Sequence, residues 1–193
     1  IVIVDDGSGD GTSELADALA SRIPGVRVIH HPDNLGLGRV YRTGFREALG
    51  DCVTFLPADG QVPSIMLERV FPLLSECDMV LCYVPKDCRL FGRILSYLER
   101  LIYRILLGSL PRYQGMMMFR RSILKATNLR MKGRGWAIVW ELIIRARDAG
   151  YRITSYPAIM RPRAVGASKV QHFGSILANL RQVLALRHVL RSP

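Results

Sequence analysis

"IVIVDDGSGDGTSELADAL", Ile1 to Leu19, sets the fold class of this chain. Ile1 to Val4 is a short run of β-branched apolar residues, the composition of a strand buried on both faces in a parallel sheet. It runs into two adjacent carboxylates, Asp5 and Asp6, and a turn containing Gly7, Gly9 and Gly11. Leu15, Ala16, Leu19, Ala20 and Ile23 then keep helical spacing, with Asp10 or Thr12 as N-cap and Pro24-Gly25 as the stop. The same rhythm continues outward. Val26 to Ile29 reads as a strand, Tyr41, Phe45 and Ala48 mark a helix ending at Gly50, and Cys52 to Leu56 is a third strand. Ile65 to Leu74 is a helix and Met79 to Val84 a fourth strand. Alternation of this kind predicts an α/β fold with a mostly parallel sheet flanked by helices, whose ligands bind beyond the carboxyl ends of the strands. Asp5, Asp6 and Asp59 fall on that edge.

The 193 residues suffice for one such domain, and 49% hydrophobic against 22% charged residues is a globular balance. A formal charge of +11 calls for an anionic partner without choosing between nucleic acid, a phosphorylated substrate and an acidic membrane. Cys52, Cys77, Cys82 and Cys88 form no CxxC pair and sit with no histidine at zinc spacing, so reduced thiols in a cytoplasmic setting are expected. No uncharged apolar run is long enough to span a bilayer, and an opening in mid-strand suggests a piece of a longer protein.

The carboxylate pair needs a chemistry. Its glycines read GxGxG rather than the GxGxxG of a dinucleotide site, and two carboxylates are poor neighbours for a pyrophosphate. They suit hydroxyl and N–H donors, as on a ribose or base edge, or a bridging cation; the alternative is a tight turn with helix caps. Further segments follow in order: "NLGLGRVYRTG" at Asn34 to Gly44, "FLPADGQ" at Phe55 to Gln61, "MFRRS" at Met118 to Ser122 and "RPRAVGASK" at Arg161 to Lys169. Together with "VDDGSGDGT" at Val4 to Thr12 they resemble the family 2 inverting glycosyltransferases of GT-A fold, especially the branch that includes dolichyl-phosphate mannosyltransferases. The resemblance covers roughly residues 1–170.

That resemblance implies a nucleotide-sugar donor, a polyprenyl phosphate acceptor and a divalent metal, Mg²⁺ or Mn²⁺. Asp5 and Asp6 match the family's nucleotide-contacting pair. Arg42, on the helix opened by Asn34, Gly36 and Gly38, is expected either to meet donor or acceptor phosphate or to be solvated. At the metal motif this sequence has Pro57-Ala58-Asp59 where the family usually has Asp-x-Asp, which leaves Asp59 and Gln61 as oxygen ligands. The family's first strand and helix have no counterpart ahead of Ile1. Arg120 is expected at a phosphate, and Arg163, Ser168 and Lys169 at the donor diphosphate and acceptor phosphate around the Gly166 turn. Glu141, beside Trp140, matches an acid placed near the acceptor, a catalytic base where that acceptor is a hydroxyl; the plainer reading is a structural acid.

Two apolar stripes carry basic flanks: Phe91 to Leu106 with Arg93, Arg100 and Arg104, and Phe173 to Leu184 with Arg181, Arg187 and Arg191. Core packing and docking on an anionic membrane surface are both open for them. The reading is therefore a glycosyltransferase domain over residues 1–170 and a basic amphipathic helix over 171–193. The expected activity is transfer of a sugar, with inversion, from a nucleotide sugar to a polyprenyl phosphate at the cytoplasmic face of a membrane, with no nucleic-acid partner. The alternatives are transfer to a saccharide hydroxyl and a non-catalytic membrane-associated remnant.

Overall fold

The computed structural model describes residues 1–85, 103–161 and 173–191, the last with side chains from 181 onward. Strand β1 (Val2–Asp5), helix α1 (Thr12–Arg22), strand β2 (Arg27–His30), helix α2 (Leu37–Glu47) and strand β3 (Cys52–Thr54) follow in turn. Next come helix α3 (Ile65–Val70), which tightens into a 3₁₀ turn over Phe71–Ser75, and strand β4 (Met79–Tyr83). Strand β5 (Met117–Arg120), helix α4 (Ser122–Ala126), helix α5 (Ala137–Asp148), strand β6 (Ile153–Pro157) and helix α6 (Phe173–Arg191) complete the order.

The strands form two ladders of different character. β1 pairs with β2 in parallel, placing Asp5 opposite His30. The second sheet runs β3-β5-β4-β6; β5 is antiparallel to both β3 and β4, while β4 and β6 are parallel. The mostly parallel arrangement expected from the sequence holds for β1 with β2 and for β3, β4 and β6, and among the described strands β5 enters between β3 and β4 in the opposite direction. Since β3, β4 and β6 share one direction, their carboxyl ends form a common edge, and the chain leaves them at the Asp59 loop, at Tyr83 and at Arg161.

The pleat divides the core. Met117 and Phe119 of β5 and Met79 and Leu81 of β4 point into one cluster with Tyr41 and Phe45 of α2, the apolar face of α5, and Val183 and Leu186 of α6. Met116 and Met118, with Val80 and Cys82, point the other way, against Met66, Val70 and Leu74. This is why "GMMMF" is apolar without interruption: a strand covered on both faces has no polar alternate positions. Removing such side chains from water at about 25 cal/mol per Å² is the main drive of folding here.

Two apolar faces differ from their sequence reading. On α1 only Ala16 is buried, while Leu15, Leu19 and the following Ile23 are exposed, since α1 packs chiefly on the narrow β1–β2 pair. On α6, Val183 and Leu186 are fully buried against the main core, so that stretch of the stripe packs inward, while Leu184 is half exposed. The stripe from Phe91 to Ile102 lies outside the described residues. Among the described residues no helix is long and apolar enough to cross a membrane. Cys52, Cys77 and Cys82 are free thiols, and Cys88 lies outside the described residues.

Candidate active site

Asp5 and Asp6 close β1 and are wired into the fold. The Asp5 carboxylate accepts from Ser13 Oγ at 2.6 Å and Ser8 N at 3.2 Å, and it faces His30 Nδ1 at 2.9 Å. Those bonds, with Ser13 and Ser8 foremost and His30 next, hold its carboxyl well below the usual range. The other ring nitrogen of His30 lies 3.0 Å from Asp17 Oδ1 on α1. Both nitrogens thus face carboxylates, an arrangement satisfied by the imidazolium, and the His30 pKa is raised, by Asp5 first and Asp17 second. Asp5, Ser8, Ser13, Asp17, His30 and His31 line an open cavity of about 350 Å³.

Asp6 turns the other way. Its oxygens accept from Leu35 N at 3.0 Å and Gly36 N at 2.8 Å, and face His31 Nδ1 at 2.8 Å. Burial works against the charged form, but these partners prevail and its pKa is lowered. His31 Nε2 in turn lies 2.9 Å from Thr43 Oγ1 on α2. The N-terminal approach to α2 therefore already holds an anion of the chain itself. Gly38 N donates to Arg134 O at 2.9 Å, and a Cβ at Gly38 would come within 2.1 Å of Gly133 O, so the glycines of "NLGLG" serve backbone-to-backbone contact.

The other candidates separate into two groups. Asp59 follows β3 on an exposed turn, where its Oδ1 accepts from Gln61 N at 3.1 Å and Gly60 takes the left-handed conformation at φ 70°. Arg161 N donates to Gln61 O at 2.8 Å. The start of "RPRAVGASK" is thereby joined to the "FLPADGQ" turn; Arg163, Ser168 and Lys169 themselves lie outside the described residues.

Three further candidates are engaged by groups of the chain itself. Arg120 pairs with Cys52 at the beginning of β3, the end opposite Asp59; its guanidinium bonds Leu74 O and lies 3.8 Å from Asp78, away from the strands' carboxyl edge. Arg42 is half-buried, and its guanidinium donates to Leu129 O at 3.3 Å and to Met131 O. Glu141 is fully buried, accepting from Arg130 N at 2.8 Å, Met131 N at 2.8 Å and Arg145 Nε at 2.9 Å. A base must reach the proton it removes, and this carboxylate is enclosed by the chain's own donors. The sequence reading missed His30 and His31. Their signal was available in the equal lengths of the first two strands, which set His30 opposite Asp5.

As ligands for a hard divalent ion, the residues at the second site are oxygen donors on an exposed turn: one carboxylate, Asp59, and the amide of Gln61, with Pro57 unable to contribute a side chain. No group of three or more His, Cys, Asp or Glu side chains among the described residues could enclose a metal. The donor set fits Mg²⁺ or Mn²⁺ of the kind that keeps waters and shares substrate phosphates, rather than an ion caged by protein.

The profile of Glycosyl transferase family 2 matches residues 1–127, about two thirds of the chain, and the protein belongs to that family. Its fold is GT-A. Among solved structures, glucosyl-3-phosphoglycerate synthase from Mycobacterium tuberculosis in complex with Mg²⁺ and uridine-diphosphate superposes with a TM-score of 0.68 at 19% identity, over 97% of this chain and 68% of that one. The mannosyltransferase PcManGT from Pyrobaculum calidifontis, in complex with GDP-Man and Mn²⁺, gives 0.66 at 18% identity over 100% and 55%. By sequence, the chain is 29% identical over 182 residues to the undecaprenyl-phosphate mannosyltransferase of Micrococcus luteus, covering 88% of this chain and 75% of the relative. It is 28% identical over 202 residues to the dolichol-phosphate mannosyltransferase of Saccharomyces cerevisiae, covering 99% and 75%.

Proposed function

We propose that this chain transfers a sugar, with inversion at the anomeric carbon, from a nucleotide sugar to a polyprenyl phosphate. The observation that supports the reading is the main-chain bond from Arg161, the first residue of "RPRAVGASK", to Gln61 in the exposed turn that carries Asp59. A divalent cation needs the acidic turn, and two phosphate-bearing substrates need the cations. Relatives named for mannosyl transfer to undecaprenyl and dolichol phosphate support the acceptor class.

In this reading Asp59 and Gln61 would hold Mg²⁺ or Mn²⁺ for the nucleotide-sugar donor. When bound, the ion offsets charge developing on the leaving nucleoside diphosphate. Arg163 and Lys169 orient the acceptor phosphate, with Ser168 at the turn between them, so that one phosphate oxygen attacks the anomeric carbon opposite the leaving group. A phosphomonoester is already largely ionised at neutral pH, its second pKa being about 6, so the step needs no protein base. That agrees with the burial of Glu141, which disfavours transfer to a saccharide hydroxyl. Asp5 and Asp6 shape the nucleotide side of the site through the turns they hold. The enzyme works at an anionic membrane surface on the cytoplasmic side, where its lipid acceptor resides.

The test is a transfer assay pairing GDP- and UDP-sugars with a short-chain polyprenyl phosphate, an oligosaccharide acceptor and water. Product on the lipid phosphate alone is expected. Transfer to the oligosaccharide, or donor hydrolysis without transfer to lipid phosphate, would overturn the acceptor assignment.

A further inference from the structure

The loop of residues 129–135 is gripped from two sides. From one side, Glu141 of α5 accepts the N–H groups of Arg130 and Met131. From the other, Arg42 of α2 donates to the carbonyls of Leu129 and Met131. A buried carboxylate thus takes the loop's donors and a half-buried guanidinium takes its acceptors, so the same short peptide lies between two opposite charges from two helices. Arg145, one turn along α5, balances Glu141 at 2.9 Å.

The grip is not tuned for stability alone. Arg42 Nε and Arg145 Nη2 are buried without a hydrogen-bond partner among the described residues, an arrangement that costs stability and that an apolar pair would avoid. What it secures lies further along the loop. Arg134 O accepts from Gly38 N, its guanidinium donates to Asn34 O at 2.7 Å and Oδ1 at 2.9 Å, and Gly36 and Gly38 leave no room for a Cβ against residues 133–135. The loop is therefore the wall against which the Asn34–Gly38 turn, and through it the Asp6 carboxylate, is set. It also carries exposed Arg130 and Lys132.

We infer that Arg42 and Glu141 are positioning residues, which together hold the 129–135 loop so that the Asn34–Gly38 turn and the loop's cations keep one arrangement at the substrate site. The role in transfer rests on the reading under Proposed function; the grip itself does not, and its physical test is independent of any substrate.

Glu141→Gln keeps the shape but replaces one acceptor by a donor facing N–H groups. Arg42→Lys keeps the charge but replaces the fork by a single ammonium. Amide exchange followed by mass spectrometry is expected to quicken at residues 129–132 by on the order of ten- to a hundredfold in each variant, the loss of one charge-assisted bond. Trypsin is expected to cut after Arg130, Lys132 and Arg134 sooner than in the parent, while cleavage after Arg22 keeps its rate. If Glu141→Gln fails to fold, Arg42→Lys decides the question by the same readouts. In the transfer assay both variants should raise the donor KM more than they lower kcat, with the pH profile of kcat unmoved. Unchanged exchange and proteolysis in the variants would overturn the inference; a lost acid limb in the kcat profile of Glu141→Gln would instead make Glu141 a base. Accelerated exchange in a chain that transfers no sugar to lipid phosphate would leave the grip standing and overturn only the acceptor assignment.

Discussion

The turn after β1 and the turn after β3 share a local design, an aspartate followed by a glycine with left-handed backbone: Asp6-Gly7 at φ 69° and Asp59-Gly60 at φ 70°. Their surroundings are opposite. A Cβ on Gly7 would lie 2.6 Å from the Asp33 carbonyl carbon, whereas a Cβ on Gly60 would meet nothing within 4 Å. Asp6 accepts from two main-chain N–H groups and faces His31, while the Asp59 turn is open to solvent. The first turn is enclosed by the fold and the second faces outward, where an ion and a substrate can reach it. An acidic residue at a strand's end therefore does not announce a ligand; what distinguishes the two is how closely the fold encloses the turn that carries it.

The largest expected effect lies in the enclosed turn. Asp6→Ala strands the Leu35 and Gly36 amides and the His31 ring, and should cost about 2 to 4 kcal/mol in denaturant unfolding. A loss below about 0.5 kcal/mol, the range of an ordinary surface change, would erase the contrast. Gly38→Ala comes next: the added methyl meets two main-chain oxygens, Gly133 O at 2.1 Å and Gly135 O at 2.6 Å, so a loss of about 1 to 3 kcal/mol is expected. Gly60→Ala forces a left-handed conformation on alanine but meets no steric wall, so its cost should be smaller, about 1 kcal/mol.

A pH-dependent effect sharpens the comparison further. The His30 pKa is raised above its ordinary 6.5, so its contribution is fully present below that value and disappears as pH rises through the folded-state pKa. Asp5 and Asp6 are shifted down from 3.8, so their contribution is present above that value and is lost as the solution is acidified below it. Thermal melts of the parent and His30→Gln should therefore differ most near pH 5 and converge in mildly alkaline solution. A constant gap from pH 5 to pH 9 would show that His30 acts by packing rather than charge.

Much of this was legible in the sequence. The short β-branched run and the helical spacing around Tyr41 and Phe45 each follow from local chemistry, and their elements lie within a few residues of expectation. The direction of β5 was not legible, because strand polarity depends on where the chain re-enters the sheet and not on the residues of the strand. Nor were the duties of Arg42 and Glu141, whose partners Leu129 to Met131 are main-chain groups that leave no mark in side-chain pattern. For Arg120 the motif pointed to a phosphate, yet the antiparallel register carries it to the opposite end of β3.

The central claim is that the outward turn binds donor while the enclosed turns support it. Calorimetric titration of GDP and UDP in Mn²⁺, using the parent, Asp59→Asn and Asp6→Asn, tests it most directly. Asp59→Asn is expected to abolish Mn²⁺-dependent binding while its unfolding free energy stays within about 0.5 kcal/mol of the parent. Asp6→Asn is expected to lower stability while its folded fraction still binds. Undiminished Mn²⁺-dependent binding by Asp59→Asn would contradict the account.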